Sequence, residues 1–296
     1  MIDNTYVLCC DTPADLTADY YAARNIHYLP YRYNLDENIY TDDLVSMPPE
    51  KFFKIMEDGA MTKTTQPNSD EFVKFLSPFL EKGLDVVHVC LSSGITGVLL
   101  SANIAKEILE EKYPERKIYI IDSLAASRGL GLFVDKLADL RDEGYSAKQL
   151  FDWAEENKLN LHHWFYTTDL TYFVRGGRVS KASGWFGSIL NICPLLHVDS
   201  TGHLVPVKKC RGKSAVMKAM LDCMYENAFD GIEYAEKCFI SHSAREDEAK
   251  QIAEHIETNF PHLDGKVQIE SIGPIIGAHT GPGTVALFFW GKKRTD

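Results

Sequence analysis

Short apolar runs alternate with amphipathic stretches through the first half of the chain. TYVLCC (5–10), IHYLPYRY (26–33), DVVHVCL (85–91) and KIYIID (117–122) read as strands. PPEKFFKIMED (48–58), SDEFVKFLSPFLEKG (69–83) and TGVLLSANIAKEILEEKY (96–113) carry helical periodicity, and the proline pair suits a first turn. Two more helices are expected at 127–144, ending on Gly144, and at 146–158. Strands alternating with helices predict a mostly parallel sheet covered by helices.

Beyond Lys158 the pattern changes. LHHWFYTT (161–168) reads as a strand, and short helices are expected through 170–192. PLLHVDSTGHLVPVKKC (194–210) alternates around a D-S-T-G turn as a hairpin does. Helices at 213–228 and 246–260 and strands at 237–242, 266–272 and 284–290 complete a mixed sheet with helices. Two α/β domains follow, 1–158 and 159–296, with no linker between them. GPIIGAHTGPG (273–283) surrounds one imidazole, His279, with glycine and proline, and reads as a shaped loop rather than a helix.

Composition narrows the class. At 296 residues each half can bury its own core, and two domains imply a cleft. A net charge of −11 repels phosphate backbones and anionic lipid surfaces, so nucleic acid is not an expected partner. The seven cysteines contain no C-x-x-C and sit mostly in apolar runs, which points to reduced thiols in a cytoplasmic protein. The start MIDNTYVLCCD lacks the features of a signal peptide, and no apolar run reaches membrane-spanning length.

Most enzyme motifs fail on spacing. RGKS (211–214) has Val207 where a P-loop needs glycine. GPGTVA (281–286) opens a terminal strand with no βαβ unit behind it, so it is no dinucleotide fingerprint. AASRG (125–129) lies between a strand and a helix as a nucleophile elbow would, which leaves a serine hydrolase using Ser127 as an alternative. His162 and His163 point to opposite faces of a strand, and no metal site is expected. What remains is hydroxyl-rich loops: TKTTQPN (62–68) between two helices, and SSGITG (92–97) beyond the carboxyl end of a strand, where open parallel sheets collect ligands.

CDTPADLT (10–17), TTQPN (64–68), SSGITGVLLSAN (92–103), IYIIDS (118–123), LTYFVRGGRVSK (170–181), CPLLHVD (193–199) and IGPIIGAHTGPG (272–283) occur in that order. Together they resemble the DegV family over essentially the whole chain. The resemblance implies a two-domain α/β fold that holds a long-chain fatty acid between its domains. It also implies a carrier, not an enzyme: the acyl-bearing subunit of a bacterial fatty acid kinase. By the same resemblance Thr64, Thr96 and His279 bind the carboxylate, and Thr65, Ser93, Gly94 and Arg178 belong to the same head-group motifs. Arg211 matches an arginine associated with docking the kinase. No cofactor or catalytic residue is implied on this chain, since ATP and Mg²⁺ would sit on the kinase. Thr96 and Thr65 stand where serine is commoner, Asn68 replaces a small residue and VLL (98–100) replaces a tyrosine-bearing stretch, departures that bear on acyl-chain preference. A lipid sensor or transport protein with the same ligand would present the same motifs.

Overall fold

A computed structural model of the protein describes residues 5–180 and 192–295. The chain opens with β1 (Tyr6–Asp11), a 3₁₀ turn (Thr12–Ala14) and the short helix α1 (Ala18–Ala23). Strands β2 (His27–Leu29), β3 (Arg32–Leu35) and β4 (Asn38–Thr41) precede helix α2 (Pro49–Glu57). Next come β5 (Thr62–Thr65), α3 (Ser69–Glu81), β6 (Asp85–Cys90), α4 (Val98–Lys112), β7 (Ile118–Asp122), α5 (Arg128–Asp142) and α6 (Ala147–Asn157). The remainder holds β8 (Leu161–Thr167), α7 (Thr171–Arg175), β9 (Ile192–Val198), β10 (Leu204–Arg211), α8 (Lys213–Asn227) and β11 (Phe239–His242). It ends with α9 (Glu246–Asn259), β12 (Gln268–Ser271), α10 (Pro274–Thr280) and β13 (Thr284–Trp290).

The described residues form three sheets. The first is parallel, in the order β2-β1-β6-β7. Its central strands are buried along all but the first residue of β6, as sheets covered on both faces require. The order reverses between β1 and β6, so their carboxyl ends flank a crevice from which the 92–97 loop emerges. A small antiparallel sheet, β4-β3-β5, stands beside it. The third sheet runs β10-β9-β8-β13-β11-β12, with only β11 and β12 parallel.

Three local expectations change. IHYLPYRY is not one strand: Pro30 and Tyr31 break it, and β2 joins the parallel sheet while β3 joins the small one. TKTTQPN is not a loop, because its first four residues form β5 and only Gln66 and Pro67 connect it to Asn68, which caps α3 with Glu71 in a reciprocal capping box. GPIIGAHTGPG is largely helical: Pro274 starts α10 at a position that needs no donor, and Gly281, at φ 65°, stops it. Gly277 inside α10 is a matter of space, since a Cβ there would stand 2.9 Å from the Phe53 ring. The expected strand and helix segments elsewhere agree with the structure to within a few residues at their ends, apart from α1 and β4, for which no element was expected. The short helices expected through 170–192 are described only as far as α7, and most of the apolar run GWFGSILNI (184–192), a candidate tunnel wall, lies outside the described residues.

Candidate functional site

One cavity lies between the carboxyl-end loops of the parallel sheet and the inner face of the mixed sheet, enclosing about 920 Å³ of atom-free space with its mouth included. Its apolar depth comes from period-two alternation. Ala286 and Phe288 on β13 face it beside Phe165 on β8, and Phe165 stacks on Phe173 of α7. Ile272, Ile275 and Ile276, around the start of α10, close another side.

The polar end is assembled from four segments. Thr64 on β5 approaches His279 on α10, with Oγ1 2.7 Å from Nε2. Thr62 Oγ1 donates to the Ala278 carbonyl at 3.0 Å, a second stitch between the same elements. Thr96, at the end of the 92–97 loop, donates its hydroxyl to Gln66 Oε1. Arg178, just past α7, reaches back to the Gly176 carbonyl and also lines the cavity. No acidic residue is among the described residues lining it.

Electrostatics follow from burial. His279 Nδ1 is buried with no partner in the described residues, and a Cβ on Gly176 would stand 2.5 Å from it. Burial, with the nearby Arg178 cation, brings the imidazole down to about 4, so His279 is neutral near pH 7. Burial also lowers Arg178, the only Lys or Arg among the described lining residues, yet from a value so high that it stays charged. The polar end therefore groups the Arg178 guanidinium, the neutral His279 imidazole and the Thr64 and Thr96 hydroxyls at one end of a largely apolar cavity. That chemistry suits an anion with a long apolar tail.

The remaining candidates lie elsewhere. Alternation along β5 turns Thr65 to solvent. Ser93 is exposed and committed to Asp122, through its hydroxyl at 2.5 Å and its N–H at 3.1 Å. Gly94 does not line the cavity but presses on the 199–202 turn, where a Cβ would meet the Gly202 carbonyl carbon at 2.5 Å. Together with Ser92, whose hydroxyl donates to the Gly202 carbonyl, it docks the Thr96 loop against the β9–β10 hairpin. Arg211 sits at the exposed end of edge strand β10, away from the cavity lining.

Ser127 lines the cavity in a left-handed backbone conformation, φ 54°, as a nucleophile elbow would. Its hydroxyl donates to Asp15 at 2.5 Å, however, and His163 Nε2 accepts instead from the Ala126 N–H at 3.4 Å. Among the described residues no imidazole is bonded to Ser127, so the geometry lacks the Ser–His pair of a hydrolase elbow, and the base Ser127 does meet is the buried Asp15 carboxylate. Asp11, His88 and Cys90 form a buried group of metal-type donors. The Asp11 carboxylate is already engaged by His88, Tyr31 and the Leu91 N–H, an arrangement that fixes the start of the Thr96 loop.

Gln66 is a site residue the sequence reading passed over. Taking TKTTQPN as a loop hid it, whereas strand alternation puts Gln66 on the same side as Thr64.

A family model described as "Uncharacterised protein, DegV family" matches residues 6–292, and the chain belongs to this family. It is 34% identical over 290 residues to the DegV domain-containing protein CPE0026 of Clostridium perfringens, covering 98% of each chain. Among solved structures it is similar to DegV, a fatty acid binding protein from Bacillus subtilis, at 26% identity and TM-score 0.83, covering 97% of this chain and 99% of that one. It is also similar in fold to the Streptococcus pneumoniae fatty acid kinase B3 protein loaded with linoleic acid, at 21% identity and TM-score 0.81, covering 97% of this chain and 100% of that one. Among the described residues no helix is long and apolar enough to cross a membrane.

Proposed function

We propose that the protein binds a long-chain fatty acid, its carboxylate held among Thr64, Thr96, His279 and Arg178 and its tail in the cavity between the sheets. The observation that carries this reading is the pairing of a guanidinium, two threonine hydroxyls and an imidazole with a deep apolar wall in a single cavity with no acidic residue among its described lining residues. The similar Bacillus subtilis fatty acid binding protein and the linoleic-acid-loaded Streptococcus pneumoniae protein of the same fold support it.

The tail supplies most of the affinity. Each buried methylene contributes about 0.8 kcal/mol, so some fifteen of them give roughly 12 kcal/mol before ordering costs. The head group fixes position: a buried carboxylate loses hydration, and charge-assisted bonds of about 1.5–3 kcal/mol each offset that loss. With a neutral His279 donating from Nε2 to Thr64, the Thr64 hydroxyl proton is free to point at the ligand.

The finer reading is a carrier that presents the carboxylate to a separate fatty acid kinase. A carboxylate attacks a γ-phosphate without losing a proton, so this chain need supply orientation only, while ATP and Mg²⁺ come with the kinase. Lys208, Lys209, Arg211 and Lys213 lie along and just beyond β10, a basic edge on an acidic protein and a suitable place to steer that partner. The test is thermal unfolding with palmitate or oleate, followed by acyl-phosphate formation on adding the cognate kinase with ATP and Mg²⁺. A raised Tm with no transfer leaves the binding reading standing and removes the kinase role.

A further inference from the structure

Asp15 lies just past the 3₁₀ turn after β1, 8% exposed and in a left-handed conformation at φ 51°. Its carboxylate bridges two cavity-building segments, those of Ser127 and Gly273. Oδ2 accepts the Ser127 hydroxyl at 2.5 Å, and Ser127 stands 3.1 Å from the Ser241 hydroxyl of β11. The Gly273 N–H, at the residue preceding α10, donates to the same carboxylate. Contact there is so close that a Cβ on Gly273 would stand 2.6 Å from Asp15 Oδ1. Ser127 is one wall of the cavity, and the segment starting at Gly273 carries Ile275, Ile276 and His279 on the other.

We propose that Asp15 is a positioning residue: a proton-dependent clasp that holds α10, and with it His279, against the Ser127 wall. When Asp15 carries a proton, Oδ2–H donates to Ser127, Ser127 donates on to Ser241, and Oδ1 still accepts from Gly273. The serine pair can run in either direction, so protonation reverses the relay without breaking it. Ionised, the carboxylate keeps both donors but carries a buried charge.

The charged and titratable groups around it come from every neighbouring element. Asp42 after β4 repels the anion, Arg128 on α5 attracts it and donates to the Asp15 carbonyl, and Tyr21 of α1 is nearby. Glu50 and Glu270 line a second cavity together with Asp15 and Asp42. Burial, opposed by the Ser127 bond and reinforced by Asp42, brings the carboxyl up to about 7. An opened clasp would return it toward the ordinary carboxylate range, so the closed form binds the proton more tightly. Closure is then favoured at low pH and weakens as pH rises toward 7, after which it levels off.

The consequence for ligand retention rests on the fatty-acid reading, but the clasp does not, and the experiment uses ligand-free protein. Amide hydrogen exchange over 275–281 is compared with β6 as protection factors at pD 5.5 and 8. The wild type should lose tenfold or more protection in α10 relative to β6 at the higher pD. Asp15→Asn, a neutral isostere, should show the same protection at both. Asp42→Asn should keep the transition at lower pH, and Ser127→Ala, which removes a bond to the anion, should move it higher. A pH-invariant wild type, or an Asp15→Asn variant with undiminished pH dependence, overturns the proposal. If Asp15→Asn does not fold, an unmoved midpoint in Ser127→Ala overturns it equally. Failure of oleate to bind at either pH would sink the fatty-acid reading and leave these exchange results untouched.

Discussion

Thr64 Oγ1 lies 2.7 Å from His279 Nε2 although 215 positions separate the two residues. The contact exists because β5 is the edge of the small sheet beside the parallel one, and α10 crosses it before β13 enters the mixed sheet. Neither residue alone defines an anion site. Joined, with Thr96 and Arg178 on the same cavity, they provide donors from both halves of the chain.

Thr96→Val tests the hydroxyl set. It keeps the volume of the side chain and removes the hydroxyl, whose proton turns from Gln66 Oε1 to the carboxylate on binding, so fatty-acid affinity should weaken by about 1–3 kcal/mol with the fold intact. Isothermal titration with oleate reads the affinity, and far-UV circular dichroism the fold. Unchanged binding in Thr96→Val beside a loss in Ser93→Ala would move the head-group site to Ser93.

Gly176→Ala tests the packing behind His279. The added methyl would stand 2.5 Å from Nδ1, at a backbone conformation alanine accepts, so the imidazole must shift. Overpacking of this kind costs about 1–3 kcal/mol, expected here as tenfold or weaker binding with helix content preserved. Wild-type affinity in this variant would mean that His279 does not position the ligand.

His279 should titrate near 4 in the ligand-free protein, because burial first and Arg178 second disfavour its cation. The folded value is below the unfolded one, so the unfolded state binds more protons between about 4 and 6.5, and stability falls as pH drops through that window. Asp15 and Asp42, raised chiefly by burial to about 7 and about 6, act in the opposite sense, so the comparison is wild type against His279→Gln. Histidine NMR gives the midpoint directly. A bound carboxylate should raise it, and a midpoint near 6.5 in the empty protein contradicts the burial argument.

Arg211→Ala addresses the partner. Arg211 is remote from the cavity lining, so oleate binding should be unchanged while acyl-phosphate formation by the cognate kinase slows. The loss should grow at low salt, where long-range attraction is least screened. Transfer at the wild-type rate across carrier concentrations rules out docking at this edge, and loss of lipid binding would assign Arg211 to the fold.

The parallel sheet and its helices were legible because strands buried on both faces read as continuous apolar runs, and the capped helices repeat cleanly. The small sheet was not. β3, β4 and β5 are four residues each, and polar alternation in TKTT resembles a hydroxyl-rich loop until its partner Tyr33 is known. α10 was hidden for a related reason: its glycines serve close packing against Phe53 and helix termination, which in one sequence look the same as loop glycines. Thr64, Thr96 and His279 could be named through the resemblance alone. Gln66 needed the strand assignment, and Asp15 needed the tertiary contact with Gly273.

The most direct test of the central claim is mass spectrometry of the organic extract from protein purified out of a bacterial host, with Thr64→Val/Thr96→Val protein prepared in parallel. Fatty-acid binding at this site predicts a long-chain fatty acid near one equivalent in the wild type, much less in the double variant, and a Tm that rises when palmitate or oleate is returned to stripped protein. An extract without fatty acid, together with a Tm unmoved by either lipid, would contradict it.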